Sequence, residues 1–188
     1  MKKIAMALCL ATLASGISAD FDEAQQLEQA QKATAAFAGA LKSELRSAMQ
    51  AGGPIQAIQV CNTRALAISQ EVSIQNGMNL SRVSLKNRNP DNAPDWWQTE
   101  VLTSFEARKN AGEPPGTISW HKLVETENGR EFRFMKAIPT GPPCLQCHGK
   151  NIAPPVSEKL AELYPEDKAT GFSEGDIRGA FVITRKVN

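Results

Sequence analysis

The 188-residue sequence predicts an α+β fold in which helices come first and an antiparallel sheet follows. Apolar residues recur at helical spacing over residues 24–74. A hairpin signal over 117–138 and an alternating segment over 177–186 predict the strands. The sequence shows no repeat and no low-complexity tract, and its length suits one well-buried domain rather than two.

The N-terminus has the order of a secretory signal peptide. Lys2 and Lys3 precede an apolar stretch over residues 4–17, and Ser18-Ala19 supply small residues for cleavage. This stretch is shorter than the roughly 20 residues that a membrane-spanning helix needs. We therefore predict a signal peptide over 1–19, a mature domain over 20–188, periplasmic localisation and no stable membrane insertion after cleavage.

Charge and cysteine content narrow the function classes. Lys and Arg number 21 against 20 Asp and Glu, which gives no basic excess for nucleic acid. Cys9 leaves with the signal peptide, so Cys61, Cys144 and Cys147 remain. An odd number of cysteines in an oxidising compartment cannot all form disulfides within one chain. Another chemistry must account for at least one of them.

Two amphipathic helices are predicted before residue 75. The first covers 24–50, Gly52-Gly53 ends it, and Pro54 suits the start of a second helix over 54–74. Cys61 falls on the apolar stripe of the second helix, so we expect it on the buried face.

The remaining elements are predicted from turn-forming residues and from the alternation of apolar and polar residues. The polar, proline-broken segment 79–95 predicts a long loop, and a third helix is expected from Pro94-Asp95 to about Gly112. Strands over 117–126 and 130–138 flank Asn128-Gly129, which predicts a tight turn. A loop over 139–155, a short helix over 157–163 and a closing strand over 177–186 complete the chain.

Cys144-Leu145-Gln146-Cys147-His148 is the pattern of covalent c-type haem attachment. Two thiols three residues apart can each add to one vinyl group of a single porphyrin, and the adjacent histidine then lies under the iron. This chemistry occurs on the exported side of the membrane, which agrees with the signal peptide. We predict one covalent haem c at Cys144, Cys147 and His148.

Two other chemistries would use the same residues. Cys61, Cys144, Cys147 and His148 make up a Cys₃His set for structural zinc, and a CxxC pair can form a redox dithiol. Structural zinc usually takes its cysteines from two such pairs, and this chain has one. Prolines 142 and 143 are unusual before a redox dithiol. Haem is the favoured prediction, with zinc as the minor alternative.

A haem iron needs a second axial ligand, and the sequence offers several. The candidates are Cys61, His121, Met78 and Met135. Each has an ordinary structural explanation, because cysteine and methionine pack well in cores and a lone strand histidine is usually a surface residue. Sequence patterns alone leave this choice open.

Three blocks carry a resemblance to a known family. They are AIQVCNTRALA (57–67), RVSLKNRNPDNAPD (82–95) and RFMKAIPTGPPCLQCHG (133–149), followed by LYPEDKATGF and GDIRGAFVIT. The chain resembles bacterial c-type haem proteins of uncharacterised function whose single haem-binding domain has a PAS-like antiparallel sheet and N-terminal helices. The match extends from about Ile55 to Thr184. Leu66 stands where family members often carry proline.

The resemblance implies that Cys61 is the axial ligand opposite His148. A thiolate stabilises ferric iron, so the reduction potential should be low. Arg82, Lys86 and Arg88 are candidate partners for the haem propionates.

These expectations favour low-potential electron transfer with a redox partner protein that the sequence does not identify, after loading by a c-type haem maturation system. The alternative is a redox or gas sensor that acts through a partner protein. An enzyme is the weakest hypothesis, because the sequence shows no catalytic constellation.

Overall fold

The computed structural model describes residues 21–187 and has an α+β fold. The helices are α1 (Glu23–Asn76), α2 (Trp96–Asn110), α3 (Leu145–His148) and α4 (Pro154–Leu163). The strands are β1 (Asn79–Val83), β2 (Ser119–Thr126), β3 (Gly129–Pro139) and β4 (Ile177–Val187). They form one antiparallel sheet in the order β1-β4-β3-β2. The predicted α+β class is confirmed, whereas the PAS-like description stays a prediction.

Helix α1 consists of two helical segments, as the sequence predicts. Asp22 caps its start by accepting a hydrogen bond from the Gln25 backbone, and Gly77 ends it with a left-handed φ of 59°. Gly52 and Gly53 have non-helical backbone angles and divide it. The segments fold back on each other, since side chains from both share one core cluster and Arg64 pairs with Glu44 at 3.7 Å.

The sheet has a helical layer on each face. The α1 face packs against apolar residues of β1, β3 and β4, namely Leu80, Phe132, Phe134 and Ile183. The opposite face receives Trp97, Val101, Leu102 and Phe105 of α2, which contact Met135 and Val182. Strand alternation therefore sends neighbouring residues of β3 into different cores.

A smaller third cluster lies between the second segment of α1 and α4. Ile58 packs there with Val156, Leu160 and Tyr164, and Cys147 joins the cluster from α3. This cluster connects helix α1, which carries Cys61, to the CxxCH segment.

Several predicted elements need correction. Residues 79–83 form strand β1 rather than part of a loop, because Leu80 and Val83 are buried when this segment pairs with β4. The hairpin turns at residues 127–128 rather than at Asn128-Gly129, and Gly129 supplies the positive φ of 100°. Helix α4 begins at Pro154 instead of Ser157. CxxCH includes a helical turn within the predicted loop.

The predicted signal peptide, residues 1–19, lies outside the described residues. Within residues 21–187, every helix is too short or too polar to cross a membrane.

Candidate functional site

The CxxCH segment folds as a compact helical turn. A 3₁₀ turn over Pro142–Cys144 leads into α3, and Cys144 already has right-handed helical angles. Residues three apart on a helix lie on the same face, so the two thiols of Cys144 and Cys147 share one side. Neither forms a disulfide. The spacing in the sequence therefore becomes a pair of free thiols on one surface.

Gly149 allows this turn to end tightly. A Cβ at position 149 would lie 2.5 Å from the Leu145 carbonyl oxygen, which accepts the hydrogen bond from the Gly149 N–H at 2.9 Å. A side chain there would displace the turn, which explains the glycine immediately after His148.

The imidazole of His148 is held in one orientation. Its Nδ1 donates to the Ala169 carbonyl oxygen at 2.7 Å, and its ring meets Phe172 edge-on with centroids 6.3 Å apart. A ring that donates from Nδ1 keeps a lone pair on Nε2 when it is neutral. Burial, together with the positive charges of Arg178 and Arg88, lowers the pKa of His148 to about 2. His148 therefore stays neutral at ordinary pH and keeps an unprotonated Nε2, which is the atom that could bind a metal.

Two backbone hydrogen bonds fix α3 to the segment before β4. The Phe172 N–H donates to the His148 carbonyl and the Gly171 N–H to the Gly149 carbonyl, both at 3.0 Å. The histidine and the carbonyl that orients it thus belong to one connected piece of backbone.

Arg88 adds a charged clamp to this piece. Its guanidinium donates to the Cys147 carbonyl at 2.5 Å and to the Asp167 carboxylate at 3.0 Å. The other Asp167 oxygen accepts from the Ala169 N–H at 2.7 Å. The Arg88–Asp167 pair therefore positions both the CxxCH turn and the Ala169 carbonyl that accepts from His148.

Cys61 faces the same region from α1. The charges of Arg82, Arg178 and Arg88 act on its thiol, and its own charge raises the pKa of Cys147. The predicted burial of Cys61 is wrong, because its side chain is exposed. Nearby protein still raises the pKa of this thiol through desolvation. Cys61 thus combines an exposed side chain with a partly desolvated thiol.

The charges of two arginines from adjacent strands also act on this region. Arg82 is in β1, with its guanidinium 5.9 Å from the centre of the Phe37 ring. Arg178 is an extra residue of β4, since Ile138 pairs with Gly179 and Pro139 with Ile177. Its charge interacts with those of Cys144 and Cys61. The sequence analysis missed Arg178, although Gly179 inside the predicted strand is a residue that often marks a bulge.

The remaining candidate axial ligands lie elsewhere. His121 is in the far edge strand β2, with Nε2 3.2 Å from a Glu23 oxygen. Met78 and Met135 are buried in the two cores on opposite faces of the sheet. The structure thus brings Cys61, and not these three residues, to the neighbourhood of the CxxCH turn.

The zinc arrangement is not assembled. Among residues 21–187, no three His, Cys, Asp or Glu side chains converge as a metal ion would require. Cys61, Cys144, Cys147 and His148 lie in one region without forming a four-ligand cage.

These observations define a class: an α+β domain whose CxxCH turn and helix cysteine lie in one region beside an antiparallel sheet. The Tll0287-like family model matches residues 18–185, so the chain belongs to the Tll0287-like family. The crystal structure of the cyanobacterial haem protein Tll0287 has a similar fold, with a TM-score of 0.61 at 22% identity over 88% of this chain and 94% of that chain. No functionally curated protein matches this chain.

Proposed function

We propose that this chain is an exported c-type haem protein with one covalent haem bound through Cys144 and Cys147. His148 and Cys61 would be the axial ligands. The observation that carries the proposal is the hydrogen bond from His148 Nδ1 to the Ala169 carbonyl, which leaves Nε2 free to bind iron. Membership of a family whose solved member Tll0287 is a haem protein supports it.

The residues around Cys61 and the CxxCH turn fit a haem group. The two free thiols lie on one side of the CxxCH turn, and Cys147 joins the apolar cluster of Ile58 and Val156. Arg82 and Arg178 supply positive charge beside the thiols. A flat apolar ring with two acidic substituents needs these three kinds of surface.

The attachment chemistry follows from the thiols. Each sulfur forms a bond to one carbon of a vinyl group while the thiol proton goes to the other vinyl carbon. The S–H bond and the C=C π bond break, a C–S and a C–H bond form, and no external oxidant or reductant is needed. A c-type maturation system would catalyse both additions after export.

The preferred role is low-potential electron transfer. Haem supplies one-electron chemistry at its iron when it is bound at this site. His148 and Cys61 together would hold the iron and leave no position for small ligands, and the anionic sulfur of Cys61 would favour the ferric state. We propose a redox partner protein in the periplasm; this location rests on the signal peptide predicted over residues 1–19.

One observation favours a redox or gas sensor as a second candidate. Cys61 is exposed and belongs to the segment of α1 that follows the non-helical Gly52 and Gly53. The Cys61 thiolate would leave the iron on reduction, because ferrous iron holds an anionic sulfur less well than ferric iron does. The vacated position would bind carbon monoxide or nitric oxide, and a partner protein would carry the signal.

Absorption spectra of protein exported together with a maturation system test these proposals. Spectra of the oxidised, reduced and carbon monoxide-treated forms are compared for wild type, Cys61→Ala and the control Thr63→Ala, which alters a neighbouring exposed side chain. We expect a covalent haem spectrum that changes in Cys61→Ala alone. If the reduced wild-type protein does not bind carbon monoxide, the result supports electron transfer. If it binds carbon monoxide, the result supports sensing. Identical spectra of all three proteins would exclude Cys61 as the ligand.

A further inference from the structure

Arg82 and Arg178 are half-buried arginines on which desolvation acts, and neither guanidinium group has a carboxylate partner among residues 21–187. Within the described part of the chain, neither forms a salt bridge, and no Asp or Glu influences the pKa of either. Buried arginines are normally paired, because an isolated charge loses the solvation of water. This pair therefore calls for an explanation that the protein alone does not give.

The other two basic residues of this region are already engaged. Arg88 is bound to Asp167 and the Cys147 carbonyl. The ammonium of Lys86 donates to the Thr170 carbonyl at 2.7 Å and lies 4.6 Å from the centre of the Phe172 ring. Arg82 and Arg178 are thus the arginines left available for an external anion.

The sheet holds these two arginines close together. β1 pairs directly with β4, and Ser84 of the segment after β1 donates to the Arg178 carbonyl at 2.7 Å. Gly179 allows the β4 backbone to approach the end of β1 closely, since a Cβ there would lie 2.3 Å from the Val83 carbonyl oxygen. A bulge commonly redirects a side chain toward a site, which suits the extra residue Arg178.

The charges of Arg82 and Arg178 also favour a bound anion. Burial lowers the pKa of Arg82, and burial together with the neighbouring Arg82 charge lowers the pKa of Arg178 to about 10. Two like charges in a poorly solvated place repel, and an anion between them relieves both penalties. Arginine also binds carboxylates through two parallel hydrogen bonds.

We propose that Arg82 and Arg178 form a carboxylate-binding pair that receives the two carboxylates of the haem. This inference rests on the proposed function and specifies which residues hold the acidic edge of the ring. It replaces the sequence-based expectation that Lys86 and Arg88 bind the propionates, since those side chains hold the protein backbone.

The test compares haem-loaded Arg82→Gln and Arg178→Gln with the control Arg64→Gln. Arg64 is exposed, pairs only weakly with Glu44 across α1, and does not affect the Cys61 thiol. Two readouts are used: the vibrational bands of the haem carboxylates, and the pH dependence of the reduction potential. In both variants we expect shifted carboxylate bands. We also expect the acid dissociation constant of the haem carboxylates to be at least about tenfold smaller than in wild type. Arg64→Gln should match wild type.

The outcomes separate the two proposals. Wild-type protein without covalent haem overturns the proposed function and this inference with it. Loaded protein in which Arg82→Gln and Arg178→Gln match Arg64→Gln in both readouts overturns the inference alone. Should the glutamine variants fail to fold, Arg82→Lys and Arg178→Lys retain the charge but lose the paired hydrogen bonds. Shifted carboxylate bands in these support the inference, and wild-type bands overturn it.

Discussion

Replacing Arg88 with glutamine should destabilise the fold far more than removing a surface charge does. The Arg88 and Asp167 side chains are only 13% and 10% exposed, so their ion pair is largely shielded from water. Arg88→Gln removes the bond to Asp167 and the bond to the Cys147 carbonyl. It also leaves the Asp167 carboxylate buried with only the Ala169 N–H as a partner.

The magnitude follows from these two losses. A hydrogen bond to a charged group contributes about 1.5–3 kcal/mol, and removing one partner of a buried ion pair costs about 3–5 kcal/mol. The two figures describe overlapping interactions and are not summed. We expect Arg88→Gln to lower the free energy of unfolding by about 3–5 kcal/mol.

Urea unfolding, followed by tryptophan fluorescence, measures this loss. The control is Lys32→Gln, which removes the exposed Lys32–Glu28 pair and should cost less than about 0.5 kcal/mol. The double variant Arg88→Gln/Asp167→Asn should be more stable than the sum of the single changes predicts, because it removes the unpaired carboxylate. A loss below about 1 kcal/mol for Arg88→Gln, or strict additivity, would refute the clamp.

Two further changes test the backbone and the histidine. Gly179→Ala should lower the free energy of unfolding by about 1–3 kcal/mol, since its Cβ would lie 2.3 Å from the Val83 carbonyl oxygen. Gly116→Ala is the control, because a Cβ at position 116 would meet open space. Equal thermal stability of the two variants would contradict the predicted close approach at Gly179. In the haem-free chain, the folded pKa of His148 is about 2 against 6.5 when unperturbed, so its contribution to stability is complete above pH 6.5 and declines as pH falls. Urea unfolding should show wild type losing up to about 1.4 kcal/mol per pH unit below 6.5 relative to His148→Gln, and parallel pH profiles would exclude the buried neutral imidazole.

The sequence predicted most elements because their signals are local. The helical stripe, the glycine pair at 52–53 and the hairpin alternation each reflect a backbone preference within a few residues. CxxCH is equally local, and the structure presents its thiols on one face. The resemblance placed Cys61 in the site, and the structure brings it near the other two cysteines.

What the sequence did not predict depends on long-range pairing. β1 has only five residues, and its burial becomes apparent only when it pairs with β4 a hundred residues later. The expected burial of Cys61 was wrong because helical periodicity cannot show which part of an apolar stripe the rest of the fold covers. The Ala169 carbonyl that orients His148 is backbone and leaves no mark on side-chain patterns.

The direct test of the central claim is the intact mass of the exported, maturation-loaded chain after denaturation and extraction with acidified solvent. Thioether bonds survive this treatment, whereas haem held only by axial ligands is removed. We predict the mass of the cleaved polypeptide plus one haem in wild type, and no retained haem in the double variant Cys144→Ala/Cys147→Ala. A wild-type chain of bare polypeptide mass would contradict covalent haem attachment at this motif.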